Sequence, residues 1–173
     1  MRHGYERSMA KTTEVLVVHL EDNPGDRDLL ALALREVGAN VRVIAAENAV
    51  QLYNLMRLMS TSPPHLVVVD LNLPLIKGHT VIRDLKSDPY WRKVPAVVLT
   101  SSLLESDKRD CEQLGVDAYL LKPQRYEEYL EIAKSLKQYV KKDWTERVAR
   151  KITGTDLDRL ATPPPSNRTQ NAG

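Results

Sequence analysis

The sequence predicts an α/β protein, in which a doubly wound, five-stranded parallel sheet carries helices on both faces. Three apolar runs rich in β-branched residues occupy the first two thirds of the chain. They are continuous rather than alternating, which is typical of strands buried on both faces of a parallel sheet. Segments with helical spacing follow the strands, and this repeated alternation of strand and helix indicates right-handed βαβ units.

The strongest predicted strands are Val15 to Val18, Leu66 to Val69 and Ala96 to Leu99. Two weaker runs complete the sheet, Val41 to Ala45 and Ala118 to Leu121. Apolar residues at helical spacing predict five helices, which are Asp26 to Val37, Ala49 to Met59, Gly78 to Ser87, Ser106 to Leu114, and a long one from Tyr126 to about Ile152. A single domain is expected, because 173 residues are too few for two domains of ordinary size.

Both ends of the chain differ in composition from this alternating region. Residues 1–12 are polar and are expected to be a loose lead-in. From Gly154 onward the chain is rich in Thr, Asp, Pro, Ser, Asn and Gln. Such a segment buries too little apolar surface to order itself, so residues 153–173 are predicted to be a disordered polar tail.

Composition excludes several classes of protein. With 42% apolar and 28% charged residues, the chain matches ordinary soluble proteins. It has no run of roughly 18 apolar residues and no secretory signal, so a cytoplasmic location without membrane contact is expected. The single cysteine, Cys111, is interpreted as a small core residue. A formal charge of +2 without a basic stripe does not favour nucleic acid as a partner.

Polar side chains follow four of the predicted strands at the point where each strand ends. They are Glu21 and Asp22 after the first strand, Asp70 after the third, Thr100 with Ser101 and Ser102 after the fourth, and Lys122 after the fifth. The carboxyl ends of parallel strands share one edge of the sheet, and ligands bind there where the strand order reverses. These side chains are therefore expected to meet at one site.

The residue types at this edge indicate phosphoryl chemistry. Three carboxylates close together repel one another unless a cation intervenes, and hard oxygen ligands with room for water favour Mg²⁺. Lys122 adds a positive charge within reach of a phosphate on Asp70, and Thr100 supplies a hydroxyl donor. A nucleophilic carboxylate, a metal, a cationic clamp and a hydrogen-bond donor are the groups that phosphoryl transfer needs.

Four motifs at these strand ends resemble those of response-regulator receiver domains of two-component systems. They are Leu20 to Asn23, Asp70 to Pro74 with Gly78 following, Leu99 to Ser102, and Leu121 to Pro123. Each motif is weak alone, but four in the right order are specific. The resemblance implies the flavodoxin-like receiver fold, assigned here to residues 13–152.

The same resemblance implies roles for individual residues. Asp70 would be the phosphoacceptor, Lys122 the phosphate clamp and Thr100 the switch hydroxyl. The groups implied to hold Mg²⁺ are the carboxylates of Asp22 and Asp70, the backbone carbonyl of Asn72 and, through water, Glu21. Tyr119 falls at the position of an aromatic rotamer switch, and the Lys122–Pro123 peptide bond is expected to be cis.

Within the family, the chain most resembles the single-domain response regulators associated with bacterial phytochromes. The similar segments are Glu21 to Asp26, Ser87 to Pro89 and Val94 to Ser102, with Trp144 near the end of the last helix. The resemblance implies a sensor histidine kinase as partner, with a bacterial phytochrome as the candidate. One departure is His19, where such proteins usually carry an aliphatic residue, and it is interpreted as packed against core or solvent. His65 and His79 are interpreted as ordinary surface or boundary residues.

Single features distinguish the competing functions. A metal-dependent phosphatase or phosphotransferase would need a second carboxylate two residues after the nucleophile, where this chain has Asn72, so no enzyme activity beyond self-phosphorylation and self-dephosphorylation is expected. A transcription factor would need a DNA-binding domain, and only a short polar tail follows Ile152. A degenerate receiver that acts only as a protein-interaction module stays the alternative. In the plainest reading of the acidic residues, Asp22 or Asp26 would merely cap the first helix.

The last predicted helix carries more apolar residues than packing on a sheet requires. One stripe comprises Tyr126, Leu130, Ala133, Val140, Trp144 and Val148, and a second comprises Tyr129, Ile132, Leu136 and Tyr139. Since an apolar arc of about 100° suffices for packing on a sheet, the second stripe is predicted to contact a partner. The resemblance favours an isologous homodimer through the fourth helix, fifth strand and fifth helix.

Overall fold

The computed structural model describes residues 14–38 and 40–140. The expected lead-in, the expected tail and the distal part of the long predicted helix, with Trp144 and Val148, lie outside the described residues. Among the helices of the described part, none has the length and apolarity that a membrane span requires.

Five strands and five α-helices alternate along the described chain, as the sequence predicts. The strands are β1 (Val15–Leu20), β2 (Val41–Ala46), β3 (Leu66–Val69), β4 (Ala96–Thr100) and β5 (Ala118–Leu121). The helices are α1 (Pro24–Val37), α2 (Ala49–Leu58), α3 (Gly78–Ser87), α4 (Glu105–Gln113) and α5 (Tyr126–Leu136). Short 3₁₀ helices at Trp91–Lys93 and Lys137–Tyr139 precede β4 and follow α5.

The five strands form one sheet in the order β2-β1-β3-β4-β5, and every neighbouring pair is parallel. The predicted fold class, a doubly wound flavodoxin-like sheet, is therefore confirmed. The order reverses at β1 and β3, which lie side by side although β2 separates them along the chain. Such a reversal opens a crevice at the carboxyl ends of the two strands.

Each face of the sheet has its own apolar core. On one face the strands pack against α2, α3 and α4, through side chains that include Leu52, Ile82 and Cys111. On the other face they pack against α1 and α5, through side chains that include Leu30 and Ala133. Because both faces are covered, β3 and β4 are buried at every residue, which explains their continuous apolar sequences.

Helix α5 differs from the sequence expectation in which residues it buries. Tyr129 and Leu136 were predicted to lie on a dimer face, but with Ala133 they form the row that packs on the sheet and α1, and they are almost fully buried. Only Ile132 and Tyr139 of the predicted stripe are half-buried. The stripe prediction is therefore wrong for Tyr129 and Leu136, because the helix is rotated about its axis relative to the orientation that the sequence suggested.

Three further expectations are corrected by the structure. The α-helical conformation ends at Leu136, and a 3₁₀ turn follows instead of a continuous helix, beside a bond from the Ser135 hydroxyl to the Ile132 carbonyl at 2.7 Å. His65 stands at a strand boundary but is buried, and its Nδ1 accepts the Leu16 amide at 2.9 Å. The Lys122–Pro123 peptide bond is trans, since no cis peptide bond occurs in the described residues.

Candidate functional site

Backbone hydrogen bonds hold the acidic residues at the carboxyl edge of the sheet. The amide of Glu21 donates to the Ala46 carbonyl at 2.9 Å, and the amide of Asp70 donates to the Leu20 carbonyl at 3.0 Å. These bonds continue the strand pairing one step beyond β1 and β3. As a result, carboxylate oxygens of Glu21, Asp22 and Asp70 all lie within 4.8 Å of one another, as the sequence predicted from their positions after the strands.

Lys122 is fixed to the same edge and lies among carboxylates. Its amide donates to the Thr100 carbonyl at 2.8 Å, which extends the pairing of β4 with β5. Its Nζ lies 2.6 Å from Glu21 Oε2, 2.8 Å from Asp26 Oδ2 and 2.9 Å from Asp70 Oδ2. Burial alone would lower the pKa of Lys122, but its bonds to these three carboxylates outweigh burial and raise the pKa above its ordinary value.

Glu21 is a fully buried carboxylate. Its Oε1 accepts the Asn23 amide at 3.0 Å, whereas Oε2 forms an ion pair with Lys122 without an aligned hydrogen bond. Burial raises the pKa of Glu21, and the Lys122 ammonium and the Asn23 amide offset only part of that effect. A buried carboxylate oxygen with unused lone pairs is a group that a cation would stabilise.

The donor set fits a divalent hard cation such as Mg²⁺. Its oxygens come from Glu21 and Asp70, which are buried, and from Asp22, which is exposed and leaves one side open to water. Mg²⁺ retains several waters and needs few protein carboxylates, in agreement with this geometry. Asn72 lies at the same site, because its amide donates to Asp70 Oδ1 at 3.2 Å and its side chain donates to Ser101 Oγ at 3.0 Å. The predicted use of the Asn72 carbonyl as a ligand stays a prediction.

Thr100 and Tyr119 are connected through the loop that follows β4. Thr100 is fully buried, and its Oγ1 accepts the Ser102 amide at 3.3 Å. The Tyr119 hydroxyl donates to the Ser102 carbonyl at 3.0 Å, and the Ser102 hydroxyl donates to Asp107 on α4 at 2.5 Å. Ser102 therefore joins the two residues that the resemblance identified as the switch, although their switching itself stays a prediction.

Two side chains of α1 belong to the site although the sequence reasoning gave them no role there. Asp26 forms an ion pair with Lys122, and Arg27 donates to the backbone carbonyls of Glu21 and Asp22 at 3.0 and 2.9 Å. The helix cap is Asn23, whose Oδ1 accepts the Asp26 amide at 3.1 Å, so neither Asp22 nor Asp26 is the cap. The sequence Asn23-Pro24 could have identified this cap, because an N-cap residue is often followed by a proline in the first helical turn.

His19 lies in β1 and is buried, so that the interpretation as a packed histidine is confirmed. Neither ring nitrogen has a hydrogen-bond partner among residues 14–38 and 40–140. Burial and the positive charge of Lys122 lower the pKa of His19 to about 3, which keeps the ring neutral near pH 7. By strand alternation with Leu20, the ring faces the α1 and α5 side of the sheet.

Comparison with known proteins gives relatives of one kind. The probable methanogenesis regulatory protein FilR2 of Methanothrix harundinacea (strain 6Ac) is 29% identical over 127 residues, which cover 72% of this chain and 82% of FilR2. The phosphorylated cyanobacterial phytochrome response regulator RcpA is 27% identical, with a TM-score of 0.67 over 73% of this chain and 94% of RcpA. The expected resemblance to phytochrome response regulators is thereby confirmed.

A second similar structure contains a metal. It is the receiver domain of the sensor histidine kinase PA1611 from Pseudomonas aeruginosa PAO1, which has a magnesium ion coordinated in its active-site cleft. It is 26% identical, with a TM-score of 0.56 over 70% of this chain and 96% of that domain.

Residues 15–134 match the family model described as response regulator receiver domain. The chain therefore belongs to the response regulator receiver family of two-component signalling proteins.

Proposed function

We propose that the protein is a phosphorylation switch in which Asp70 accepts a phosphoryl group in a Mg²⁺-dependent reaction. The observation that carries this proposal is the contact between Asp70 and Lys122, whose Nζ lies 2.9 Å from Asp70 Oδ2. Asp70 supplies the nucleophilic carboxylate, and Lys122 supplies one of the positive charges that phosphoryl transfer needs. Two further carboxylates, those of Glu21 and Asp22, lie beside Asp70.

The residues of the chain perform the reaction as follows. A carboxylate oxygen of Asp70 attacks the phosphorus of the donor. An O–P bond forms as the P–N bond of a phosphohistidine breaks, and the leaving imidazole nitrogen keeps the electron pair. Lys122 neutralises charge on the transferred group, and the Thr100 hydroxyl is a donor for one of its oxygens. Bound at Glu21, Asp22 and Asp70, Mg²⁺ would supply further positive charge to the phosphoryl oxygens.

The partner that fits this reaction is a sensor histidine kinase. Receiver domains interact with such kinases, and the similarity to RcpA supports a phytochrome as the sensor of this kinase. The protein acts as a signalling protein through contacts with other proteins rather than as an enzyme. The cytoplasmic location expected from the sequence stays a prediction.

The homodimer also stays a prediction, and its surface is now smaller than the sequence suggested. Ile132 and Tyr139 are the members of the predicted stripe that are not buried in the core. Two exposed leucines lie on the neighbouring elements of the predicted face, Leu104 directly before α4 and Leu121 at the end of β5. These four residues define the dimer surface that we propose.

The test is incubation of the protein with acetyl phosphate and Mg²⁺, followed by intact mass measurement. We expect the mass of one added phosphoryl group in the wild type, none in Asp70→Asn, and unchanged labelling in the control Asp28→Asn on the exposed side of α1. Wild-type protein that takes no phosphoryl group at saturating acetyl phosphate would instead support the degenerate receiver. Stable labelling of Asp70→Asn would refute Asp70 as the acceptor.

A further inference from the structure

The three carboxylates around Lys122 are not equivalent. Glu21 is fully buried and belongs to the cluster of three carboxylates, Glu21, Asp22 and Asp70, that could hold a metal ion. Asp70 is the proposed nucleophile and belongs to that cluster too. Asp26 differs from both, since it lies on α1 and is not a member of that cluster. Its side chain is 29% exposed, compared with 0% for Glu21 and 3% for Asp70.

The hydrogen-bonding capacity of Lys122 sets a limit on the site. An ammonium group has three N–H donors; two of them form the hydrogen bonds to Asp26 and Asp70, and Glu21 Oε2 lies 2.6 Å from the same Nζ. A phosphoryl group on Asp70 adds oxygens that require a positively charged donor. Asp70 loses its own charge when it is phosphorylated, so the phosphoryl oxygens compete with the carboxylates of Glu21 and Asp26 for the Lys122 ammonium.

Asp26 is the contact that is lost at the smallest cost. Glu21 is fully buried, so water cannot replace Lys122 beside its carboxylate. Asp26 is partly exposed to water, and its Oδ1 accepts the hydroxyl of Tyr129 at 3.4 Å, so only Oδ2 needs water as a new partner after release. The carboxylate of Asp26 can thus be rehydrated, whereas that of Glu21 cannot.

We propose that Asp26 is a positioning residue that holds Lys122 in the unphosphorylated protein and releases it to the phosphoryl group. This inference rests on the proposed function and extends it to Asp26, which has no role in the family motifs and is not one of the three clustered carboxylates. The Asp26 carboxylate competes with the phosphoryl group for the same ammonium. It therefore sets how tightly the site holds a phosphoryl group, and it acts only through Lys122.

The test measures binding of beryllofluoride, a stable phosphoryl analogue, at saturating Mg²⁺ by isothermal titration calorimetry. Asp26→Asn keeps the shape of the side chain but removes the competing charge. We expect Asp26→Asn and Asp26→Ala to bind beryllofluoride on the order of 5-fold more tightly than the wild type, the size of a typical coupling between neighbouring groups. The lifetime of the phosphorylated protein should lengthen in parallel.

Two controls separate this role from general electrostatics and from a structural effect. Asp28→Asn removes the same charge from the same helix at an exposed position outside the ion-pair cluster, and it should change the affinity less than about twofold. In a Lys122→Ala background, Asp26→Asn should have no further effect, because the residue through which it acts is absent.

The outcomes are distinguishable from those of the proposed function. Wild-type protein that binds no beryllofluoride with Mg²⁺ would overturn the phosphoacceptor proposal, and this inference with it. Normal wild-type binding combined with unchanged or weaker binding by Asp26→Asn and Asp26→Ala would overturn the role of Asp26 alone. If Asp28→Asn gained as much affinity as Asp26→Asn, the gain would come from the change in net charge, and the proposed role of Asp26 would be wrong.

Discussion

A Cβ atom on Gly78 would lie 2.4 Å from the carbonyl oxygen of Asp70 and 2.6 Å from the Cα of Leu71. Both neighbours are backbone atoms, so no side-chain rotation relieves the contact. The amide of Gly78 also donates to the Leu71 carbonyl at 3.2 Å. The start of α3 therefore fixes the backbone of the candidate phosphoacceptor, and only a glycine permits this approach.

Gly78→Ala is expected to disturb both the fold and the site. The added methyl group must push α3 away from Asp70, which should lower the free energy of unfolding by about 2 kcal/mol and slow labelling by acetyl phosphate. Urea denaturation and a time course of intact mass measure the two effects. Gly25→Ala is the matched control, because its Cβ would meet only the Asn23 side chain at 3.2 Å. Wild-type stability in Gly78→Ala would contradict the predicted close packing.

Mg²⁺ is expected to stabilise the folded protein. The ion would relieve repulsion among Glu21, Asp22 and Asp70, and it binds only when the fold assembles them. At a concentration 100 times its Kd, a ligand adds about 2.7 kcal/mol, which corresponds to several degrees in Tm. Thermal unfolding of metal-free protein with added Mg²⁺ should show this increase in the wild type and in Asp28→Asn, but not in Asp22→Asn. A wild-type Tm that does not respond to millimolar Mg²⁺ would argue against the metal site.

Stability is expected to fall in mild acid, partly through His65. Burial lowers the pKa of His65 from its ordinary value of 6.5, and its Nδ1 accepts the Leu16 amide. The unfolded chain therefore binds a proton more readily than the folded protein. The stability that neutral His65 contributes is complete above pH 6.5 and is lost as the pH falls below that value.

His65→Asn tests this contribution, since it keeps an acceptor near Nδ1 but does not titrate. Between pH 6.5 and 5, the wild type should lose up to about 1.4 kcal/mol per pH unit more than the variant. Urea denaturation across this range measures the difference, and His19 cancels because both proteins contain it. Parallel stability curves would show that His65 does not contribute.

The dimer surface can be tested with charged residues. Ile132→Lys combined with Tyr139→Glu should give a folded monomer that still accepts phosphate, because neither residue contacts the site. Sedimentation velocity at tens of micromolar with and without acetyl phosphate measures the association. The matched control is Val50→Lys with Leu58→Glu, two apolar residues of α2 that are 61% and 60% exposed and lie across the sheet from α5. A wild-type monomer under both conditions would disprove the dimer but not the receiver assignment.

Local sequence patterns were enough to predict the sheet, the order of its elements along the chain and the residues at its carboxyl edge. Continuous runs such as Leu66–Val69 predict buried parallel strands, because both faces of such a strand meet apolar side chains. Once the strands are parallel, the residues that follow them must share one edge. Asp22, Asp70 and Lys122 could therefore be brought together without knowledge of any distance.

Contacts between particular side chains could not be predicted in this way, because they depend on how the elements pack. Asp26 is a polar residue in the first turn of a helix, and nothing in its local sequence indicates that Lys122, 96 positions away, lies at 2.8 Å. The spacing of apolar residues in α5 suggested that Tyr129 and Leu136 face a partner, but both pack in the core. The rotation of α5 about its axis depends on its packing against α1 and the sheet, which the spacing does not reveal. Sequence periodicity fixes which residues share a helix face, but the packed neighbours decide which face turns inward.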